Sequence, residues 1–435
     1  MWGWETFSTQ TFLDLDLANH ILQGESIAAA FETIAKSAHL NVAKGITSLQ
    51  GPNLLMRSSV YARVGLTHLA WSGSETFLKC YRDEVPAEDI LKCTCRMANL
   101  LVQQGRYEKA FEMMEQFSEQ ILRVLKYYQY WTFFFSLLKL RRHLHRDELS
   151  IASDFVSRLR GQGPPDLELS LSLSLLSIDL HVRNRNFDLA LDEVEAVAQS
   201  SEFEAGDILA QIKMLNLKAR ILAQCGHPYR GFSITMRAAS MAHSSRLLPS
   251  LWESISILAN ILMQLHDFTA AVQLLEAMAP RALECQDSNL AATIHALLAD
   301  AYMGLAGQEE GESEGDYATK TQKEGRQSTI NILAASATAP TTTAASKTTS
   351  ESKITRVNPA SPSKQLEYLH TATECLDSAL QHYAHIEDLH GQLTTLIKKA
   401  TVLRVRGDDG LANDMASRYL DLKRQWHQEQ EEEGK

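Results

Sequence analysis

The sequence predicts an all-α protein, an α-solenoid built from helical hairpins that recur about every 40 residues. Three observations predict this architecture: a helix-end signal flanked by two small residues, its regular recurrence, and one low-complexity segment that interrupts the series. A single hairpin of this length is too small to own a hydrophobic core. The hairpins must therefore stack on one another to bury their apolar faces.

The clearest hairpin lies at residues 95–110. An apolar helical face ends at Gly105, Tyr107 follows two residues later, and Ala110 follows three residues after that. Glycine supplies the left-handed cap that ends the first helix, and Tyr107 fills the corner of the turn. Ala98 and Ala110 are small because the two helices cross closely at these positions.

The same pattern recurs along the chain. The matching residues are Phe187 and Ala190; Ala219, Gly226 and Gly231; Ala259, Phe268 and Ala271; and Ala400, Gly407 and Ala412, with weaker matches at Ala30 (with Ala18), Ala70 and Ala152. From residue 30 to residue 271 the small residues of the second helices are separated by 40, 40, 42, 38, 41 and 40 residues. This regular spacing favours a stack of nine units over the alternative, an irregular helical bundle.

One interval, from Ala271 to Ala412, is 141 residues long. A first helix is predicted around Ala299 and Tyr302, but the expected second helix does not follow it directly. The next amphipathic segment has Ala372 at the small position, 40 residues before Ala412. We therefore predict one repeat that is split by an insertion.

The insertion, residues 307–363, is rich in Ala, Thr, Ser, Glu and Lys and contains almost no large apolar residues. Such a composition cannot bury enough surface to offset the entropy lost on ordering, so we predict a disordered loop. The predicted organisation is a repeat array over 1–306, the disordered insert over 307–363, the end of the array over 364–428, and an acidic tail over 429–435.

One segment conflicts with an all-α fold. From Leu167 to Leu175 leucine alternates with serine, a period of two that is typical of a strand. The segment follows Pro164 and Pro165, which favour a helix start, and it falls where the period requires a first helix. Because leucine is a good helix former, we predict a helix that is fully buried between its neighbours.

Composition and charge indicate an intracellular protein that binds other proteins. The formal net charge is −11, which disfavours nucleic-acid binding by phosphate neutralisation. Six cysteines are scattered singly, as in proteins of a reducing compartment. The amino terminus shows no signal-peptide pattern. The most apolar segment, Trp131–Leu140, is too short to span a bilayer, so we expect no membrane partner.

The sequence predicts no catalytic residue, no cofactor and no metal. Cys93 and Cys95 could suggest a metal site, but on a helix their side chains point about 200° apart, and core positions are favoured. His143 and His145 could suggest a catalytic cluster, but the charged carboxyl end of a helix is the favoured interpretation. The glycines near Gly161 lack the lysine of a phosphate-binding loop.

An aromatic cluster marks the start of a predicted first helix, and it comprises Tyr127, Tyr128, Tyr130 and Trp131. Two interpretations stay open. The residues fill the core between repeats, or, if they are exposed, they contact a partner.

Several segments resemble a known family. They are Gly226–Ile234, Arg237–Ala242, Arg246–Glu253, Leu297–Met303, Ala400–Leu403 with Gly407, and Tyr419–Leu422 followed by Trp426 and His427. These segments are similar to subunit 5 of the anaphase-promoting complex, a family of tetratricopeptide-repeat scaffold proteins.

The resemblance implies a non-catalytic scaffold or platform subunit of a multi-subunit ubiquitin ligase that acts in mitosis. It implies protein partners, namely the largest scaffold subunit and neighbouring platform subunits, and a location in the nucleus and cytoplasm. Members of the family are longer and carry a further helical region before the repeats, so we expect this chain to be truncated at its amino end. The alternative from another class is a helical-repeat sensor domain that regulates an attached ATPase or DNA-binding module.

A candidate phosphorylation site precedes the second half of the split repeat. Ser361, Pro362 and Lys364 match the proline-directed pattern that cyclin-dependent kinases prefer. A phosphate on Ser361 would lie at the amino end of the predicted helix, where the helix dipole favours negative charge. A Ser-Pro motif without function is the alternative.

Overall fold

The computed structural model describes residues 27–44, 49–83, 85–121, 128–199, 208–284, 287–314 and 362–433. Within these ranges the chain forms helices and turns and contains no strand. The predicted all-α class is therefore confirmed.

Seventeen helices follow one another in the described ranges. They are α1 Ile27–Lys44, α2 Gln50–Arg63, α3 Thr67–Cys80, α4 Ala87–Gln103, α5 Tyr107–Ile121, α6 Tyr128–His145, α7 Leu149–Gln162, α8 Leu167–Arg183, α9 Phe187–Ala198, α10 Ile208–Gln224, α11 Pro228–Ser244, α12 Leu248–Gln264, α13 Phe268–Glu284, α14 Ser288–Glu314, α15 Pro362–His385, α16 Leu389–Arg406 and α17 Asp409–Glu433.

Consecutive helices pair into units. From α2–α3 to α16–α17 the described chain contains eight hairpins, which we number units 2 to 9. Helix α1 is the second helix of unit 1, and the matching first-helix position, Ala18, lies outside the described residues. We call the first helix of each unit its A helix and the second its B helix.

The turn between the A and B helices has the same backbone conformation in most units. Its central residue is left-handed, and the next amide donates to a carbonyl of the last helical turn, for example Arg106 N to Leu101 O at 2.8 Å. The left-handed residues are Gly65, Gly105, Asp147, Arg185, Gly226, His266 and Gly407. Asp147, Arg185 and His266 were not predicted as turn residues, because their turns adopt the left-handed conformation without glycine.

The small residues of the repeat lie where the helices cross. Eleven of them are fully buried, with no exposed surface: Ala30, Ala70, Ala98, Ala110, Ala152, Ala190, Ala219, Ala259, Ala271, Ala299 and Ala372. Ala412 is 1% exposed, whereas Ala400 is only half-buried. The aromatic residues that follow the turns, Tyr107, Phe187 and Phe268, are half-buried, as is Tyr302 within α14. The buried alanines therefore set the packing of the units.

The segment with alternating leucine and serine is helical, as predicted. Asp166 caps α8 by accepting a hydrogen bond from the Leu169 amide at 2.8 Å, and the two prolines lie just outside the helix. The expectation of complete burial is wrong, because a period of two places leucines on all sides of a helix. Leu169 and Leu173 are buried, but Leu167 is 40% exposed.

The helices around the insertion are longer than predicted. Helix α14 continues to Glu314, so the predicted boundary at residue 307 lies inside it. Each glycine costs a helix only about 1 kcal/mol, and Gln308 Nε2 donates to the carbonyl of His266 at 2.8 Å. The boundary at 428 likewise lies inside α17. Residues 315–361, which include most of the predicted disordered insert and Ser361, lie outside the described residues.

The two halves of the split repeat form one hairpin. Ala299 and Ala306 of α14 share a buried cluster with Leu369, Ala372 and Leu376 of α15. The predicted pairing of these helices across the insertion is therefore present in the structure.

Helix α14 is also long and apolar enough over Ser288–Gln308 to cross a membrane, by length and composition alone. The prediction that Trp131–Leu140 is the most apolar segment overlooked this longer one. In the structure Ile294 and Leu298 of α14 lie in a buried cluster with Leu275 of α13. This is the packing of a core helix within the array.

The stack also packs back on itself. Ala30 of α1 and Val60 of α2 belong to one buried cluster. Ile212 of α10 and Ala242 of α11, which lie four to five units further along, belong to the same cluster. Successive turns of the superhelix are therefore in contact.

The close crossing of α10 and α11 gives a test of the repeat packing. A Cβ atom on Gly231 would lie 2.9 Å from the backbone carbonyl oxygen of Ala219, which cannot move aside. We predict that Gly231→Ala destabilises the protein by about 1–3 kcal/mol, measured as a lower urea midpoint of the helical circular dichroism signal.

The matched control is Gly161→Ala in α7, where a Cβ would meet nothing within 4 Å. There alanine should stabilise the helix by up to about 1 kcal/mol. Equal midpoints for the two variants would contradict the close crossing of α10 and α11.

Candidate functional site

The A–B turns of units 2 to 5 form a row that meets later units. We call the turns at Gly65, Gly105, Asp147 and Arg185 the turn row. The first three turns contact units 7 to 9, and their contacts define how the superhelix closes.

The first contact is apolar. A Cβ atom on Gly65 would lie 3.3 Å from Cγ and Cδ of Pro249, at the start of α12. Absence of a side chain at this left-handed position therefore allows the turn of unit 2 to approach unit 7 closely.

The second contact combines apolar and polar groups. A Cβ atom on Gly105 would lie 2.9 Å from Cδ1 of Ile386, in the loop before α16. Asn289 Nδ2 donates to the carbonyl oxygen of Gln103 at 3.2 Å. The Arg106 guanidinium lies 3.2 Å from His385 Nε2. The turn of unit 3 is thus fixed against unit 8 and the start of unit 9.

The third contact is polar. His145 Nε2 lies 3.0 Å from Oδ1 of Asp388, and its ring stacks on Tyr107 with centroids 4.7 Å apart. Asp388 also caps α16 by accepting from the Gly391 amide at 3.0 Å. Burial favours the neutral acid, but the hydrogen bonds from His145 and Gly391 outweigh it and hold the pKa of Asp388 below its usual value.

A series of polar contacts continues from this contact to the fourth turn. His390 Nε2 lies 3.9 Å from Asp147, and Arg183 Nη1 lies 2.8 Å from the same carboxylate. Arg183 Nε also pairs with Asp179 at 3.0 Å, and Arg220 binds the other oxygen of Asp179. Burial opposes the charge of Arg183, yet these carboxylates raise its pKa.

The fourth turn borders an open groove of about 530 Å³. We call it the arginine groove, and it is lined by Asp179, Val182, Arg183, Arg185, Phe187, Arg220 and Gln224. Three guanidinium groups and one carboxylate therefore converge beside an apolar surface. Arg185 is exposed and forms no ion pair with another residue of the described ranges.

A second polar feature runs along the A helices. At the position after the small or apolar crossing residue lie Asn99, Arg141, Asp179, Arg220, Asn260 and Asp300, which we call the polar ladder. Neighbouring members are hydrogen-bonded: Arg141 Nη1 donates to Asn99 Oδ1 at 3.0 Å, and Arg220 donates to Asp179. These members therefore face a common surface. Burial lowers the pKa of Arg141.

Sequence reasoning missed both features, although a signal for the ladder was present. Its members recur with the period of the repeat, one residue after each crossing position. The arginine groove has no such signal, because Arg185 and Arg220 belong to different units and are joined only by the stacking.

The two cysteines considered for metal binding are core residues. Cys93 lies in a cluster with Leu55 and Phe77, whereas Cys95 lies in a different cluster with Leu91. Burial raises the pKa of the Cys93 thiol to about 11. Across the described ranges, no group of three potential ligands is placed to hold a metal ion.

The two histidines lie at the carboxyl end of α6, as predicted, and each has a separate partner. His143 Nδ1 lies 2.5 Å from Glu148 Oε2, whereas His145 joins the contact with Asp388. In the aromatic cluster, Trp131 is 4% exposed and Tyr128 is 42% exposed, so the cluster is divided between core and surface. Tyr127 lies outside the described residues.

Among solved structures, the chain is similar to a signal transduction ATPase with numerous domains from Pyrococcus horikoshii, which carries a tetratricopeptide repeat sensor. The identity is 16%, the match covers 93% of this chain and 54% of that chain, and the TM-score is 0.40. The chain thus spans about half the length of that protein. It is also similar to a Rap protein complexed with competence and sporulation factor, with 12% identity, coverage of 79% and 99%, and a TM-score of 0.40. No protein-family model and no curated protein matches the chain.

The helices and turns define the class of the protein. It is an all-α solenoid of stacked helical hairpins.

The contact between Asp388 and His145 can be separated from simple helix capping. We predict that Asp388→Ala destabilises the protein by about 2–3 kcal/mol, because both the cap and the bond to His145 are lost. Urea unfolding followed by circular dichroism measures the effect.

Asp166→Ala is the matched control, since Asp166 caps α8 in the same way and is exposed. It should cost only about 1 kcal/mol. If Asp388→Ala cost no more than this control, the contact between units 4 and 9 would contribute nothing to stability.

Proposed function

We propose that the protein is a non-catalytic scaffold subunit of the anaphase-promoting complex, located in the nucleus and cytoplasm. The observation that carries the proposal is the array itself: eight stacked hairpins that present the polar ladder and the arginine groove on the surface. Long helical arrays bind partners over extended concave surfaces. Protein subunits of a large complex are the partners that such surfaces suit.

The segments that resemble subunit 5 of that complex support the proposal in part. Gly226 and Arg246 are left-handed turn residues, and Trp252 is buried. These residues carry the repeat packing of units 6 and 7, so the resemblance concerns the architecture of the array more than a contact surface.

The ionisable groups of the site support a non-catalytic role. Asp179, Arg183 and Asp147 are tied into ion pairs that hold neighbouring units together. A catalytic site needs titratable groups directed at a substrate position, and these groups are directed at one another.

The second candidate is a sensor domain that binds a peptide or small ligand and regulates an attached module. One observation favours it: the arginine groove is a discrete site with convergent polar groups, as ligand sites are.

Affinity purification of the full-length protein from dividing cells, followed by mass spectrometry, tests the proposal. We expect cullin-like and RING-bearing ligase subunits to co-purify in constant ratio, and cells without the tagged protein serve as the control. Recovery of the protein alone with a bound metabolite would contradict the scaffold and favour the sensor.

A further inference from the structure

We propose that the arginine groove is a docking site for an acidic peptide segment of a partner protein. The first three turns of the turn row contact later units of the same chain. At the fourth turn, we propose that a partner molecule makes the corresponding contact. The proposal rests on the proposed function only in that the ligand is a segment of a protein.

The groove continues the row of contacts that the turns make within the chain. Gly65 meets the start of α12, Gly105 meets the loop before α16, and His145 in the turn of unit 4 meets the cap of α16. The fourth turn, at Arg185, is the next position of the same row. Among the described residues, those that line the groove belong to units 5 and 6, and the groove takes the position at which the first three turns meet units 7 to 9.

The charge of the groove favours an acidic ligand. In the third contact, the later unit presents the carboxylate of Asp388 to His145. At the fourth turn Arg183 and Arg220 are already bound to Asp179, and Arg183 is bound to Asp147 as well. Arg185 has no carboxylate partner in the described ranges. The groove therefore retains an excess of guanidinium groups, which bind carboxylates with paired hydrogen bonds.

The apolar residues of the arginine groove favour a peptide as the ligand. Val182 and Phe187 line the same groove as the arginines, and the amide of Gln224 borders it. A backbone segment can donate to and accept from this amide. In a peptide, an acidic side chain would pair with the arginines and a neighbouring apolar side chain would pack on Val182 and Phe187. A fully polar anion would make only the first of these contacts.

Fluorescence anisotropy with the purified chain tests the proposal. The probe is a fluorescein-labelled octapeptide of alternating acidic residues and leucine, and its comparison peptide carries the corresponding amides. We expect saturable binding of the acidic peptide and at least tenfold weaker binding of the amide peptide, since charge-assisted pairs with arginine are lost.

The decisive variant is Arg185→Glu. Glutamate is compatible with this left-handed turn, because Glu387 occupies the same conformation elsewhere in the chain. We expect affinity for the acidic peptide to fall about tenfold with an unchanged circular dichroism spectrum. Gln224→Ala, an exposed change within the groove, should weaken binding by a smaller factor.

The matched control is Arg246→Glu, which makes the same charge change at another exposed, left-handed turn residue. It should leave affinity unchanged. If both arginine variants lost affinity equally, the binding would reflect general charge attraction and the proposal would be overturned. Equal affinity for the acidic and amide peptides, or binding of the acidic peptide that does not saturate, would also overturn it. These outcomes do not depend on which complex the full-length protein joins. Peptide binding can therefore be observed when ligase subunits do not co-purify, and ligase subunits can co-purify when the peptide does not bind.

Discussion

The left-handed turn between the two helices of a unit is the constraint on which the rest of the structure depends. It ends the A helix, reverses the direction of the chain and places the small residue of the B helix where the two helices cross. A non-glycine residue in this conformation costs about 1–2 kcal/mol, yet Asp147, Arg185 and His266 adopt it. Packing within and between units must therefore impose the turn where the sequence does not favour it.

Because the turns repeat with the period of the units, they lie along one edge of the array, and that edge carries the long-range contacts. Gly65, Gly105 and Asp147 lie against units 7 to 9 through an apolar, a mixed and a polar contact, respectively. The ion pairs of Arg183 connect the last of these to the arginine groove. The closure of the superhelix and the candidate docking site are thus two consequences of the same row of turns.

The repeats were predictable because their signals are local. Gly105 and the pair Ala98 and Ala110 lie within 13 residues of sequence, and the same spacing recurs. The continuation of α14 beyond Gly307 was not predictable, since the segment contacts another unit there, through the bond from Gln308 to His266. The closure was not predictable either, because it joins residues such as Gln103 and Asn289 that are 186 positions apart. The arginine groove was not predictable for the same reason, because its arginines come together only when units 5 and 6 stack.

The most direct test of this account is the distance between the turn of unit 3 and the loop before α16. Spin labels at Lys109→Cys and Glu387→Cys, in a chain whose other reactive cysteines are serine, report it by double electron–electron resonance. Closure through the Gly105–Ile386 contact predicts one narrow distribution at short distance. A broad distribution at long distance would show an open array and contradict the turn row as the edge that holds the superhelix together.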